Sequence, residues 1–208
     1  MKEDKYYENE REDIIALIPN DARRVLDTGC GFGLMGKRLK EKLDIEVVGI
    51  ENEKGVINVA KNNVDKLIIG DVEDLKLPFE RGYFDCIVYG DILEHLKDPW
   101  RVLKEHVYYL KKGGYSIASI PNISHYSVIK ALLYDIWEYK PSGILDERHL
   151  RFFTLEGIRQ MFKDAGYTIE EEKRYVRASK SKKLLNKLLG GKIEYLLTEQ
   201  YIIKGRLG

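Results

Sequence analysis

Cysteine is nearly missing from this chain: only Cys30 and Cys86 occur in 208 residues. That excludes a disulfide-stapled scaffold and a cysteine-built metal framework, and both thiols read as reduced and buried. No apolar run approaches the length of a bilayer span, and the opening Met-Lys-Glu-Asp-Lys-Tyr-Tyr lacks the hydrophobic region of a signal peptide, so a cytoplasmic location is expected. Neither sign of charge prevails. With 35 Lys and Arg against 34 Asp and Glu, no global field steers the whole chain to nucleic acid, and any anionic partner has to be met locally. Internal repeats and low-complexity linkers are also absent. At 44% hydrophobic residues, the expectation is one domain over residues 1–208 with a proper core.

What is present is concentrated first in Val25-Leu-Asp-Thr-Gly-Cys-Gly-Phe-Gly33. An apolar strand runs through Asp27 into Gly29, Gly31 and Gly33, residues that admit backbone angles closed to others and keep side chains out of the space above the strand end. The following helix, with Met35, Leu39 and Leu43 on one face, points its positive end into that space. A nucleotide-like ligand suits it. Gly31-Phe-Gly33-Leu-Met-Gly36 also satisfies a dinucleotide fingerprint,. However, a carboxylate at Asp27 repels a pyrophosphate and favours a ligand carrying an ammonium or a sulfonium. A second strand ends at Glu51, beside Asn52, where a carboxylate accepts hydrogen bonds from two ribose hydroxyls. A third ends in Gly70-Asp71-Val72, where a carboxylate meets an adenine amino group and a backbone amide meets the ring nitrogen. Three acidic strand ends in succession favour S-adenosylmethionine.

With Val48-Gly-Ile-Glu51, Phe84-Asp-Cys-Ile-Val88, Asp91-Ile-Leu-Glu-His-Leu96 and Leu110-Lys-Lys-Gly-Gly114, the sequence resembles the class I S-adenosylmethionine-dependent methyltransferases over nearly its whole length. Ser119-Ile-Pro-Asn122 and the stretch 143–154 resemble the small methyltransferases of bacterial and archaeal surface glycan biosynthesis; the quinone-biosynthesis methyltransferases are a more distant likeness. The resemblance implies an enzyme with S-adenosylmethionine as cofactor and Asp27, Gly29, Gly31, Gly33, Glu51, Asn52, Asp71, Val72 and Asp91 around it. The implied reaction is O-methylation of a sugar or glycan hydroxyl on a small or lipid-linked acceptor. The alternatives are methylation of RNA or protein, and a cofactor-binding sensor or partner subunit without activity.

Alternation of strand and helix patterns from Val25 to about Asn122 predicts an α/β fold, a doubly wound Rossmann-like sheet with helices on both faces. The resemblance completes it to seven strands, mostly parallel with an antiparallel last strand. Ahead of this core, residues 1–20 hold a helix around Tyr6 to Ile18, stopped by Pro19 and placed to cover the cofactor. A helix from about Pro99 to Leu110 carries Trp100, Leu103, Val107 and Leu110 on one stripe. Residues 122–153 form an insertion rich in aromatics, with a short helix near Ser127 to Tyr139; that length inside a compact domain reads as a substrate lid. Its rings otherwise complete a core over the sheet. Residues 177–197 form a basic connection between the last two strands, read as a solvated helix face or as a peripheral contact with anions or a membrane.

Residues just after the strands have first claim on chemistry. His95, His125 and His149 fall there or in the insertion, and His106, mid-helix, reads as structural. A neutral imidazole takes a hydroxyl proton near neutral pH, and His149, in the lid, is the first candidate for a general base; the alternative is a lid histidine that only packs or hydrogen-bonds locally. Asp91 and Glu94 read as a capping box. The quinone O-methyltransferases have an acidic-x-x-Glu-His pattern linked with a divalent cation at this point. This chain has Asp91 where that pattern has glutamate, and no metal is expected.

Overall fold

Strands with apolar residues at consecutive positions have to be covered on both faces, because successive side chains point to opposite sides. In β1 (Arg24–Thr28), Val25 enters one core and Leu26 the other; β2 (Glu46–Glu51) repeats this with Val47 and Val48. In β4 (Phe84–Gly90), Cys86 and Val88 face one way, Ile87 and Tyr89 the other. The first core is closed by α1 (Glu12–Ile15) and α2 (Leu34–Lys42), and α3 (Lys54–Asn63) lies against α2. Opposite them, α4 (Pro99–His106) and α6 (Leu155–Asp164) pack through Leu103, Ile158 and Phe162.

The computed structural model describes residues 10–208. With β3 (Lys66–Ile69), β5 (Leu110–Pro121), β6 (Tyr167–Val176) and β7 (Thr198–Leu207), the sheet runs β3-β2-β1-β4-β5-β7-β6. Strands β1 to β5 pair in parallel, and β7 runs antiparallel between β5 and β6. The predicted seven-stranded architecture is the observed one. Strand order reverses between β1 and its neighbours β2 and β4, which opens a crevice at their carboxyl ends.

Several elements differ from expectation. Part of the predicted N-terminal helix, residues 6–9, lies outside the described residues, and the described part is only α1. The apolar stripe of α4 is Val102 and Leu103 with His106, while Trp100 is 45% exposed. Asp98 caps that helix from its side chain and Pro99 opens it, so the packed face is set by the entry geometry. His106 is structural: it is buried with its Nδ1 3.1 Å from the Tyr89 hydroxyl. The insertion contains α5 (Tyr126–Leu133), and the basic connection contains α7 (Lys180–Leu188) and α8 (Glu194–Leu197). Of the insertion's rings only Phe153 is fully in the core; Tyr134, Trp137 and Tyr139 are exposed.

Candidate active site

The loop after β1 is built on left-handed glycines. Gly29 and Gly31 have φ of 70° and 54°, a region that L side chains rarely adopt. A Cβ on Gly29 would also stand 2.9 Å from Ile92 Cδ1. Gly33, at φ 72°, is the N-cap of α2 and stands outside the cavity wall, where a Cβ would meet Asn63 and Val64 of the α3 end at 3.1 and 3.2 Å. Its role is close packing of α2 on α3.

Glu51, at the end of β2, organises this loop. Its Oε2 accepts from the Gly31 amide at 2.7 Å, and its Oε1 accepts from the Asn52 and Glu53 amides at 2.8 and 2.9 Å. A carboxylate offers about four acceptor directions. Three are taken by backbone, so Glu51 both fixes the loop and keeps one direction for a ligand hydroxyl. Asp71 caps its own loop, accepting from the Glu73 amide at 2.9 Å.

These strand ends enclose a cavity of about 570 Å³ lined by Asp27, Gly29, Gly31, Glu51, Asn52, Asp71, Val72 and Asp91, within the range of ligand pockets. Asp27 is 4% exposed, no donor among the described residues reaches its carboxyl, and its pKa is pushed up to about 7 by burial and by the neighbouring Glu51, against the pull of Arg11. A buried carboxyl without a donor fits a cationic ligand group. A thiol beside it, that of Cys30, is pushed up by burial and by the charges of Asp27 and Glu51, and is not a nucleophile.

Asp91 has left-handed backbone, at φ 56°. Its side chain pairs with Arg11 and accepts from Ser119 Oγ at 3.0 Å and from Gln200. The predicted capping box with Glu94 is therefore not formed: the short 3₁₀ turn Leu93–His95 has Ile92 at its N-cap and no side-chain cap. Long-range partners, from β5, β7 and the N-terminal segment, outcompete the local one. Arg11 and Arg148 also line the cavity; both lie outside the strand-end motifs from which the site residues are read.

Glu94 instead turns inward. It is 1% exposed, neither carboxylate oxygen has a hydrogen-bond partner among the described residues, and its pKa is driven well above the usual carboxylate range by burial and by the negative charge of Asp91. The insertion comes to it. The Leu150 and Arg151 amides both donate to the Glu94 carbonyl, at 2.8 and 3.0 Å, which sets His149 edge-on against His95 with ring centroids 4.8 Å apart. His95 is in the cavity wall, whereas His149 stands behind it. Burial, then His149, lowers the His95 pKa, which favours the neutral ring. His125 lies elsewhere: it is the N-cap of α5, its Nδ1 2.8 Å from Ser127 Oγ.

Comparison with known proteins agrees with this geometry. Residues 26–118 match a family model described as a methyltransferase domain. A ubiquinone biosynthesis O-methyltransferase of Coxiella burnetii is 34% identical over 120 residues, 55% of this chain and 48% of that protein; the chain thus spans about half the length of such curated relatives. Among solved structures, a SAM-dependent methyltransferase of Archaeoglobus fulgidus superposes with a TM-score of 0.72 at 19% identity, covering 99% of this chain and 97% of that one. One from Thermotoga maritima, described as a possible histamine N-methyltransferase, gives 0.68 at 22%, covering 97% and 89%. At these identities the structures speak for the fold.

Proposed function

We propose that the protein, whose residues 26–118 match a family model described as a methyltransferase domain, is a class I S-adenosylmethionine-dependent methyltransferase that transfers a methyl group to a hydroxyl of a small or lipid-linked acceptor, a sugar or glycan hydroxyl in the first instance. The observation that carries this is the junction of two unlike halves: a cavity whose one side is the acidic, glycine-lined bed of β1 and β2, and whose other side carries His95 and Arg148. The O-methyl transfer named for the ubiquinone relatives supports a hydroxyl acceptor. The glycan preference rests on the resemblance of residues 119–122 and 143–154.

A lipid-linked acceptor has support from the surface. Leu132, Leu133 and Tyr134 at the end of α5 and Leu184, Leu185 and Leu188 on α7 are exposed, and Lys182 of α7 lies 3.4 Å over the Tyr126 ring at the start of α5. Apolar side chains flanked by Lys180, Lys183 and Lys187 match an anionic lipid interface. No described helix is long and apolar enough to cross a membrane.

S-adenosylmethionine held by Asp27, Glu51 and Asp71 would supply an electrophilic methyl on a sulfonium, with a neutral thioether as the leaving group. The protein holds the acceptor oxygen in line and receives its proton on the His95 side, in a site where position and exclusion of water provide much of the rate. Incubation with labelled methyl donor and separate metabolite, lipid, RNA and protein extracts tests this reading. Label is expected in metabolites or lipids; label in RNA or protein defeats it, and label in no fraction favours a sensor.

Asp27 gives the cofactor step a pH dependence. A carboxyl whose pKa is about 7 in the free protein must lose its proton to meet the cofactor's ammonium, so binding releases a proton below pH 7. Affinity for S-adenosylmethionine should fall up to about tenfold per pH unit below 7 and flatten above it. Calorimetry in two buffers of different ionisation enthalpy measures the proton. Asp27→Asn should bind weakly and without the slope; an unaltered slope in that variant removes Asp27 from contact with the cation.

A further inference from the structure

We propose that Glu94, His95 and His149 form a binding site for a divalent transition-metal ion of the zinc and cobalt class, with its open coordination position toward the acceptor side of the cavity. One ligand atom from each of the three residues lies within 4.8 Å of the others. Hydrogen bonds hold both imidazoles in the tautomer a metal ligand needs. A carbonyl only accepts, so His95 Nδ1 at 3.2 Å from Arg148 O and His149 Nδ1 at 3.0 Å from Ile144 O both carry the proton,. The lone pair of each ring is then on Nε2. Outer hydrogen bonds of this kind fix tautomer and ring plane in metal sites.

The third ligand is the orphan carboxylate of Glu94, nine-tenths buried and more, with both oxygens unpartnered among the described residues. A buried carboxylate without a donor is costly unless something compensates it, and a cation beside two imidazoles does so. Ligands about 2.1 Å from a tetrahedral centre stand about 3.4 Å apart, so the three groups have to draw together modestly. Two nitrogens and one oxygen suit a borderline ion rather than magnesium, which prefers oxygen.

This ligand set is not the two-carboxylate pattern linked with a cation in the quinone methyltransferases. Asp91 is committed to Arg11, Ser119 and Gln200, and its place is taken by His149, brought in by the two amide bonds from the insertion to the Glu94 carbonyl. Since His95 lines the cavity, an ion here would polarise a hydroxyl bound on that side and ease loss of its proton. The inference deepens the proposed O-methylation at the same site, but metal binding is measurable without any acceptor.

The test is titration of the metal-stripped full chain with Co²⁺, followed by its visible d–d absorption, and with Zn²⁺ by calorimetry. One equivalent is expected to bind with the spectrum of low-symmetry nitrogen and oxygen coordination. Glu94→Gln and His149→Ala should each weaken binding by roughly 100-fold or more, since even outer-shell losses cost about 10- to 100-fold. The glutamine variant keeps shape and relieves the orphan carboxylate, so it should fold even where the alanine variant does not. Absence of stoichiometric binding, wild-type affinity in Glu94→Gln, or displacement of Co²⁺ by equimolar Mg²⁺ overturns the site. Co²⁺ binding of the expected kind without hydroxyl methylation in any extract upholds the metal site while removing the reaction; methylation by a chain that binds no Co²⁺ does the reverse.

Discussion

Replacing Glu51 with alanine should weaken S-adenosylmethionine binding by about 10- to 150-fold, the equivalent of roughly 1.5–3 kcal/mol for a charge-assisted hydrogen bond. Two effects point the same way. The carboxylate loses its remaining acceptor direction toward the ribose, and it also releases the Gly31, Asn52 and Glu53 amides. The second effect loosens the loop whose left-handed glycines line the cavity. The free protein should therefore lose about 1–3 kcal/mol of stability as well, because partly buried amides are left to water or to nothing. Glu51→Gln separates these contributions. Its single carbonyl oxygen serves either Gly31 or the Asn52–Glu53 pair, and its amide nitrogen faces another donor on the opposite side, so the loop stays disturbed although size is kept. Calorimetry reads the affinity and urea unfolding reads the stability. An unchanged affinity in Glu51→Ala removes the residue from the cofactor bed, whatever happens to stability.

The grouping of the strand-end residues around one cavity was legible because they are local to strand ends. Asp27, Gly29, Gly31, Glu51, Asn52, Asp71, Val72 and Asp91 all line one cavity, and each follows an apolar run whose end is marked by glycine or acid. Gly33 belongs to the same run but serves a helix contact about thirty residues downstream, which no spacing within the loop reveals. The sheet was legible for the same reason of period and punctuation. The failures lie where a distant partner decides. Asp91 and Glu94 have capping-box spacing, yet Arg11, Ser119 and Gln200 claim the first and the closing core claims the second. Arg11 carries no local signal at all.

The insertion shows the same division. Its aromatics read either as a substrate lid or as rings that complete a core, and of them Phe153 is buried in the main core while Tyr134, Trp137 and Tyr139 are exposed. What composition does not show is that its second half is already docked, by the Leu150 and Arg151 amides on Glu94 and by the Arg151 guanidinium on the Lys97 carbonyl. Any closure over substrate is thereby confined to the stretch from α5 to about residue 143, and the histidine cluster is set before the acceptor arrives.

That order of events fixes what loss of His149 should do. With an acceptor identified by the labelling experiment, His149→Ala should lower kcat by about 10²-fold or more and leave S-adenosylmethionine affinity within about twofold. The ring stands behind His95 rather than in the wall, so it does not touch the cofactor bed. Its loss removes the imidazole that backs the proton-receiving His95 ring or helps to hold a cation that acidifies the hydroxyl, and it frees His95 to turn. His149→Gln discriminates the imidazole from mere filling: it retains a donor for the Ile144 carbonyl and similar bulk, but restores neither proton acceptance nor a good nitrogen ligand. Rescue by glutamine would make His149 a positioning residue that only props the His95 ring, whereas equal loss in both variants keeps the chemistry on the imidazole. His95→Ala, with the ring in the wall, should fall at least as far. If turnover in His149→Ala is normal, catalysis here rests on proximity alone; if cofactor affinity collapses instead, the cluster belongs to the cofactor bed and the division of the cavity into two halves is wrong.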